Sequence, residues 1–415
     1  MDRLCGNRKL LGWVLYDAGN SAFATTIMAA ILPVYYREVA ARTLPTTHSL
    51  AFWGYASALA LLLSVLSAPF SGAAADAKRW KKKGLALATL MGVAASVGLS
   101  RVGEGQWMPA LLLLVVGTVG FSLSSVFYDS LLPHIVPARD LDRASSAGYA
   151  VGYLGGGILL AVNVAMVAFM SPEKGMRLSF LSVGIWWALF TLPVMAFVPE
   201  PPGNPVGTAT PGRILSRPFE TLRSLRKYRD AFFFLVAFWL YNDGIGTVIK
   251  LGALYASSLG IGRNHLLGAL LATQFVAIPC ALGFGRLAER IGAKPAISIG
   301  LAGYVCLSAW AFFLVHPWQF WVLAIGIGTV QGGTQALSRS LFGSMIPPGQ
   351  SAEFFAFYDL SSKFSGVAGP ALFAVILQVT GSPRLGALAL SLFFLAGMAV
   401  LRRVDVNRGR AALSE

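Results

Sequence analysis

Long apolar runs alternate with short basic ones along the whole chain, and a few charges sit deep inside the apolar runs. Uncharged stretches such as 144–172, 178–199 and 265–285 each reach the roughly 20 residues that an α-helix needs to cross a bilayer core. The pattern predicts twelve spans, at 13–37, 51–75, 84–101, 107–130, 144–170, 178–198, 230–257, 265–285, 295–315, 318–342, 352–378 and 385–401. Of the ionised side chains within them, seven are singled out: Asp17, Asp129, Asp243, Lys250, Arg339, Asp359 and Lys363. A charge at helix-centre depth costs roughly 2.5–3.5 kcal/mol on insertion scales, so such residues usually face a cavity and carry function. They occur in both halves and in both signs, and none of the seven lies in the third, sixth, ninth or twelfth span. That distribution suits a polar pathway lined by some helices and screened from lipid by others, as in a transporter.

Composition agrees: 56% of residues are hydrophobic, 12% are charged, and the mean hydropathy is +0.66. With the N-terminus inside, 23 of the 33 Lys and Arg fall in inner segments and 7 in outer ones, Lys250, Arg339 and Lys363 being the rest. The positive-inside rule therefore predicts both termini in the cytoplasm; the expected location is a bacterial cytoplasmic membrane, as a multi-pass protein. The net charge of +15 is then an inner-face signature, helped by anionic lipid, and needs no nucleic acid.

The first span is too long for a signal-peptide core and is interrupted by Asp17. Cys5, Cys280 and Cys306 have no metal or redox spacing, and the four histidines form no ligand motif. No P-loop, HExxH or GxSxG is present, so neither an enzyme nor a cofactor is expected.

Six spans precede and six follow a Pro-rich, then basic, stretch. The expected organisation is an N-terminal half over 1–198, a cytoplasmic linker over 199–229 and a C-terminal half over 230–415. A short amphipathic helix around Phe219–Leu225 is expected on the membrane surface. The halves resemble each other. Gly72 and Asp76 precede the basic run 78–83; 213 residues later, Gly285 and Glu289 precede Arg290, Gly292 and Lys294. Leu131–Pro137 and Leu341–Pro347 match at an offset of 210. The chain is thus expected to be an all-α membrane protein with twelve transmembrane helices in two six-helix pseudo-repeats.

The Gly, acid, Gly, basic pattern of 285–294 resembles the loop between the second and third spans of the major facilitator superfamily. The first copy has Arg79 in place of the middle Gly. More narrowly, Trp13–Phe23, Phe127–Asp129, Ser146–Tyr153, Leu240–Ile245, Gly332–Phe342 and Ala352–Tyr358, with Lys363 and Gly369-Pro370, resemble the vacuole-effluxer branch. That branch holds autophagy-related amino-acid effluxers of fungal vacuoles and bacterial relatives. The resemblance implies the major facilitator fold and transport.

Several residues are candidates for substrate binding or coupling. Asp243 and Lys250 lie on one helical face about 10.5 Å apart along the axis, too far for a direct bond. Gln331, Gln335 and Arg339 recur every four residues as a polar stripe. Asp359 and Lys363 are spaced to pair within one helix. Asp17 with Asn20 offers a buried carboxyl for a proton, or a fixed hydrogen-bonding group. Asp129 and Arg339 end the fourth spans of the two halves and are candidates for a cytoplasmic gate. Each also has a structural alternative, an ion pair or hydrogen bond that merely lowers insertion cost. Gly148, Gly152 and Gly156 read as a helix-packing stripe.

The expected function is secondary active transport of a small polar or zwitterionic, amino-acid-like solute by alternating access, coupled to protons. A monomer with lipid around it and no nucleic-acid partner is expected. An exporter of lipophilic or drug-like molecules is the alternative within the fold, and a non-transporting receptor the alternative from another class.

Overall fold

The computed structural model describes residues 7–202, 211–224, 227–258, 260–261, 263–364, 366 and 368–413. Cys5 and linker positions 203–210, 225 and 226 lie outside them. The described residues form helices joined by short turns, with no strand among them. The first half supplies α1 (Arg8–Ala40), α2 (Thr46–Lys78), α3 (Lys81–Leu99), α4 (Trp107–Ile135), α5 (Leu141–Phe169) and α6 (Pro172–Phe197). The linker forms α7 (Pro211–Ser224), which begins earlier than its sequence pattern suggests. The second half supplies α8 (Arg229–Ser258), α9 (Arg263–Ile291), α10 (Ala293–Phe312) and α11 (Pro317–Gly343). It continues with α12 (Ser351–Phe364), α13 (Ala368–Thr380), α14 (Pro383–Ala389), α15 (Ser391–Arg402) and α16 (Val406–Ala411).

Eleven segments are long and apolar enough to cross a membrane, α12 with α13 and α14 with α15 each counting as one. The twelfth is α11, whose Gln331 and Gln335 pull its hydropathy down. The chain is therefore an all-helical, multi-pass membrane protein, as its apolar pattern predicts. Several helices overrun the apolar runs: α2 has 33 residues, about 50 Å at 1.5 Å per residue, against a hydrocarbon core of about 30 Å. Hydropathy reads the part inside lipid, not the whole helix. In α1 the winding widens to π-helical over Phe23–Ile31, directly after the turn that carries Asp17 and Asn20. Such widened turns are frequent at functional sites.

The chain divides into two compact units. One holds residues 1–135, 151–218 and 349–356; the other holds 136–150, 219–348 and 357–415. The start of α5 thus packs with the second-half helices, and the start of α12 with the first-half ones.

Within the first unit, α2 turns sharply into α3 at Arg79, which takes left-handed dihedrals of φ 56° and ψ 51°. At the equivalent turn between α9 and α10, Gly292 has φ 89°. The first copy therefore keeps a tight turn without the glycine, at a strain of about 1 kcal/mol for an L-residue with a Cβ. Arg79→Gly is expected to raise the thermal midpoint slightly and Arg79→Val to lower it, as read by unfolding in detergent. Loss of stability in Arg79→Gly would show that the arginine side chain, not the backbone, governs this turn.

Candidate functional site

The second unit departs from regular helix in its eleventh span. α12 ends at Phe364 and α13 begins at Ala368, with Gly366 in the turn between. Pro370 accounts for the interruption, since its ring excludes the carbonyl four residues back and it has no N–H to donate. Asp243 on α8 takes up the amides this frees. Its Oδ2 accepts from Ala368 N (3.2 Å) and its Oδ1 from Gly369 N (2.9 Å). A carboxylate is favoured there by the positive end of α13. Gly369 permits the approach, because a Cβ on it would overlap Thr247 Oγ1 and stand 2.9 Å from Asp243 Oδ1.

Lys250 reaches the same interruption: a Cβ on Gly366 would overlap its Nζ. Between the two charges on α8, Thr247 Oγ1 donates to the Asp243 carbonyl (2.7 Å). Asp243, Thr247 and Lys250 therefore share one helical face against the broken span. The two hydrogen bonds leave further lone-pair positions on the Asp243 carboxylate. Beside Thr247 a cavity of about 140 Å³ opens, lined by Gln274, Ser308 and Gln331 and by apolar side chains such as Phe320 and Leu323. Gln274 Oε1 is buried with no hydrogen-bond partner among the described residues. An unmet buried acceptor costs roughly 1–3 kcal/mol, so a donor from solute or water is needed there.

The other residues singled out in this half divide in two directions. Gln335 is half-buried one turn beyond Gln331. Arg339, 3% exposed, donates from Nε to Ser145 Oγ (2.9 Å) and from Nη2 to Ser145 O (3.0 Å), and lies 4.4 Å over the Tyr149 ring. It is thus anchored to the start of α5. Asp359 and Lys363 pair at 3.5 Å along α12, as their spacing predicts. Asn242 Nδ2 donates to Ser362 Oγ beside them (3.3 Å).

In the first unit Asp17, 8% exposed, accepts from Tyr128 Oη (3.2 Å) and Ser21 Oγ (3.4 Å). Trp13 stacks on the Tyr128 ring at 4.4 Å and fixes it. Asn20 Oδ1 accepts from Ser124 Oγ (3.3 Å). Gly152 and Gly156 of the small-residue stripe lie against Ser21, where added Cβ atoms would stand 2.7 and 3.3 Å from Ser21 atoms. Asp129 is half-buried on α4, next to Tyr128.

The two loop motifs have different fates. Asp76 is buried, pairs with Lys81 (2.9 Å) and accepts from Glu353 N (2.8 Å). Lys81 also donates to Ser351 Oγ (2.7 Å) and meets His134 Nε2 (3.1 Å). Gly72 allows this close packing, since its Cβ would stand 2.5 Å from the Ala352 carbonyl oxygen. In the second copy Gly285 packs on Ser146, but Glu289 and Arg290 are exposed. Lys294 there caps the end of α15, donating to Arg402 O (3.0 Å) and Val404 O (2.7 Å). Sequence spacing missed Lys81, Ser351, Thr247 and Gln274. Thr247 alone carried a signal, lying on the helical face that Asp243 and Lys250 define.

Among the described residues no cluster of His, Cys, Asp and Glu is able to hold a metal ion. A profile of the family described as vacuole effluxer Atg22-like matches residues 45–414. An uncharacterised transporter of major facilitator type from Bacillus subtilis, YxiO, is 33% identical, over 94% of this chain and 93% of its own. Autophagy-related protein 22 of Eremothecium gossypii is 24% identical, over 99% of this chain and 93% of its own. Autophagy-related protein 22-1 of Neosartorya fischeri is 29% identical over 65% of this chain, which spans only 49% of that protein. Among solved structures, the human organic anion transporter MFSD10 superposes with a TM-score of 0.78 at 12% identity, over 95% of this chain and 99% of its own. The proton:xylose symporter XylE does so with 0.74 at 14% identity, over 96% and 95%.

Proposed function

Because the chain belongs to the vacuole-effluxer family of the major facilitator superfamily, and is therefore a transporter rather than an enzyme, we propose that it moves an amino-acid-like solute by alternating access, coupled to protons. The observation that carries this reading is the opposed pair Asp243 and Lys250 at an interrupted helix. A zwitterion presents the two complementary groups. Its carboxylate accepts from Lys250, and its ammonium group donates to the open lone pairs of Asp243 or to the last carbonyls of α12. The adjoining 140 Å³ cavity, with Gln274 and Gln331, suits a small polar or apolar side chain. Interrupted helices are the recurrent device by which transporters offer backbone groups to a substrate at membrane depth. Asp243 and Asp17 are the acids proposed to take up protons, and Asp359 with Lys363 a pair that opens as the solute binds. The B. subtilis relative supports a bacterial cytoplasmic membrane, and the excess of Lys and Arg in the inner segments supports both termini inside.

Binding tests this reading directly. Hydrogen bonds to charged groups contribute roughly 1.5–3 kcal/mol, so Lys250→Met should weaken a zwitterionic solute by tenfold or more. A thermal-shift series with amino acids, and with the matching amines that lack the carboxylate, reads the effect. Stabilisation by amino acids but not amines in wild type, lost in Lys250→Met, is the expected outcome. Equal response to both ligand sets, or full retention in the variant, would overturn the assignment. A response only to lipophilic compounds would favour the exporter reading.

A further inference from the structure

We infer that the second unit carries a separate site for a phosphate-bearing anion, at the end that holds α16. A cavity of about 740 Å³ opens there between the start of α5, the turn from α9 to α10, and the chain after α15. Six basic side chains line it: Arg139, Lys294, Arg402, Arg403, Arg408 and Arg410. Three acids also line it, Asp142, Glu289 and Asp405, and two of these are engaged within the fold. Asp142 accepts from Ser340 Oγ (2.5 Å), and Asp405 caps α16 by accepting from Asn407 N and Arg408 N (both 3.0 Å).

The basic groups divide into a fixed wall and a free edge. Lys294 is held by the carbonyls at the end of α15, and Arg408 by Asp230 through two 2.7 Å hydrogen bonds. Those bonds also hold the Arg408 guanidinium above its ordinary pKa. Arg402 and Arg403 are exposed at the rim, and no described residue partners either guanidinium. Guanidinium groups match phosphate oxygens in a two-point geometry that lysine does not offer. Basic residues after a final span are expected of any inner-face segment. What is not expected is their convergence on one concave space within the size range of small-molecule sites. The cavity exceeds a single inorganic phosphate and suits a polyphosphate or the phosphodiester headgroup of an acidic lipid. This site is independent of the solute site, sharing no residue with it.

The test uses the full chain purified in detergent and, in parallel, in nanodiscs. Pyrophosphate binding is read by calorimetry, and retention of phosphatidylglycerol against phosphatidylcholine by native mass spectrometry. Arg402→Gln/Arg403→Gln is compared with Lys78→Gln/Lys83→Gln, which removes equal charge from exposed positions on the first unit. The expected result is binding of at least one probe, weakened tenfold or more by the first double variant and less than twofold by the second. The arm that responds identifies the source, lipid or soluble anion. Thermal midpoints without probe establish that both variants are folded. Absence of binding in both arms, or equal weakening by both double variants, would overturn the proposal.

Discussion

Asp243→Asn is expected to reduce proton-driven uptake by more than tenfold and to lower the thermal midpoint of the purified protein. The carboxylate accepts from Ala368 N and Gly369 N with one oxygen each. An Asn offers one acceptor, and its amide group then faces a backbone N–H, donor against donor. Loss of one charge-assisted bond at a buried site costs about 1.5–3 kcal/mol. The charge that complements the start of α13 disappears as well. Two readouts separate the roles. A purely structural cap predicts lower stability with residual uptake that keeps its pH dependence. A coupling role predicts that what uptake remains no longer responds to the pH gradient. Wild-type uptake across pH in Asp243→Asn would remove Asp243 from the mechanism.

The second large effect is expected at Asp76. Its carboxylate and the Lys81 ammonium are 0% and 3% exposed and lie 2.9 Å apart. Removing one member of a buried pair leaves an uncompensated charge, at a cost of about 3–5 kcal/mol, whereas replacing both by apolar groups of similar shape is often neutral. Asp76→Leu should therefore unfold or strongly destabilise the protein. Asp76→Leu/Lys81→Met should recover most of the midpoint, although Ser351 Oγ and Glu353 N lose a partner. Thermal unfolding of the two single variants and the double variant measures the coupling. Additive losses would show that the two charges do not stabilise each other.

Apolar run length made the spans legible, because lipid leaves a helix no other way to satisfy its backbone. Charges at membrane depth made Asp17, Asp243, Lys250, Arg339, Asp359 and Lys363 legible for the same energetic reason. Their partners were not. Asp17 meets Tyr128 across 111 positions, Asp243 meets Gly369 across 126, and Arg339 meets Ser145 across 194. No periodicity within one helix encodes such pairs. Asp359 with Lys363 is the contrasting case, since a pair four residues apart is fixed by helix geometry alone. The break in the eleventh span was written in Gly366, Gly369 and Pro370, but hydropathy averages over it. Arg79 hid the turn it makes, because left-handed dihedrals are read from glycine and here an arginine adopts them. The Gly292 turn of the second copy shows the geometry that the first one keeps.

Uptake into proteoliposomes is the most direct test of coupled transport of an amino-acid-like solute. Purified protein is reconstituted, a mixture of labelled amino acids is presented with and without an imposed pH gradient, and Asp243→Asn vesicles are run alongside. Gradient-dependent accumulation of at least one amino acid above empty vesicles, reduced more than tenfold in the variant, is the expected result. Accumulation of no amino acid above empty vesicles, or flux indifferent to both gradient and substitution, would contradict it.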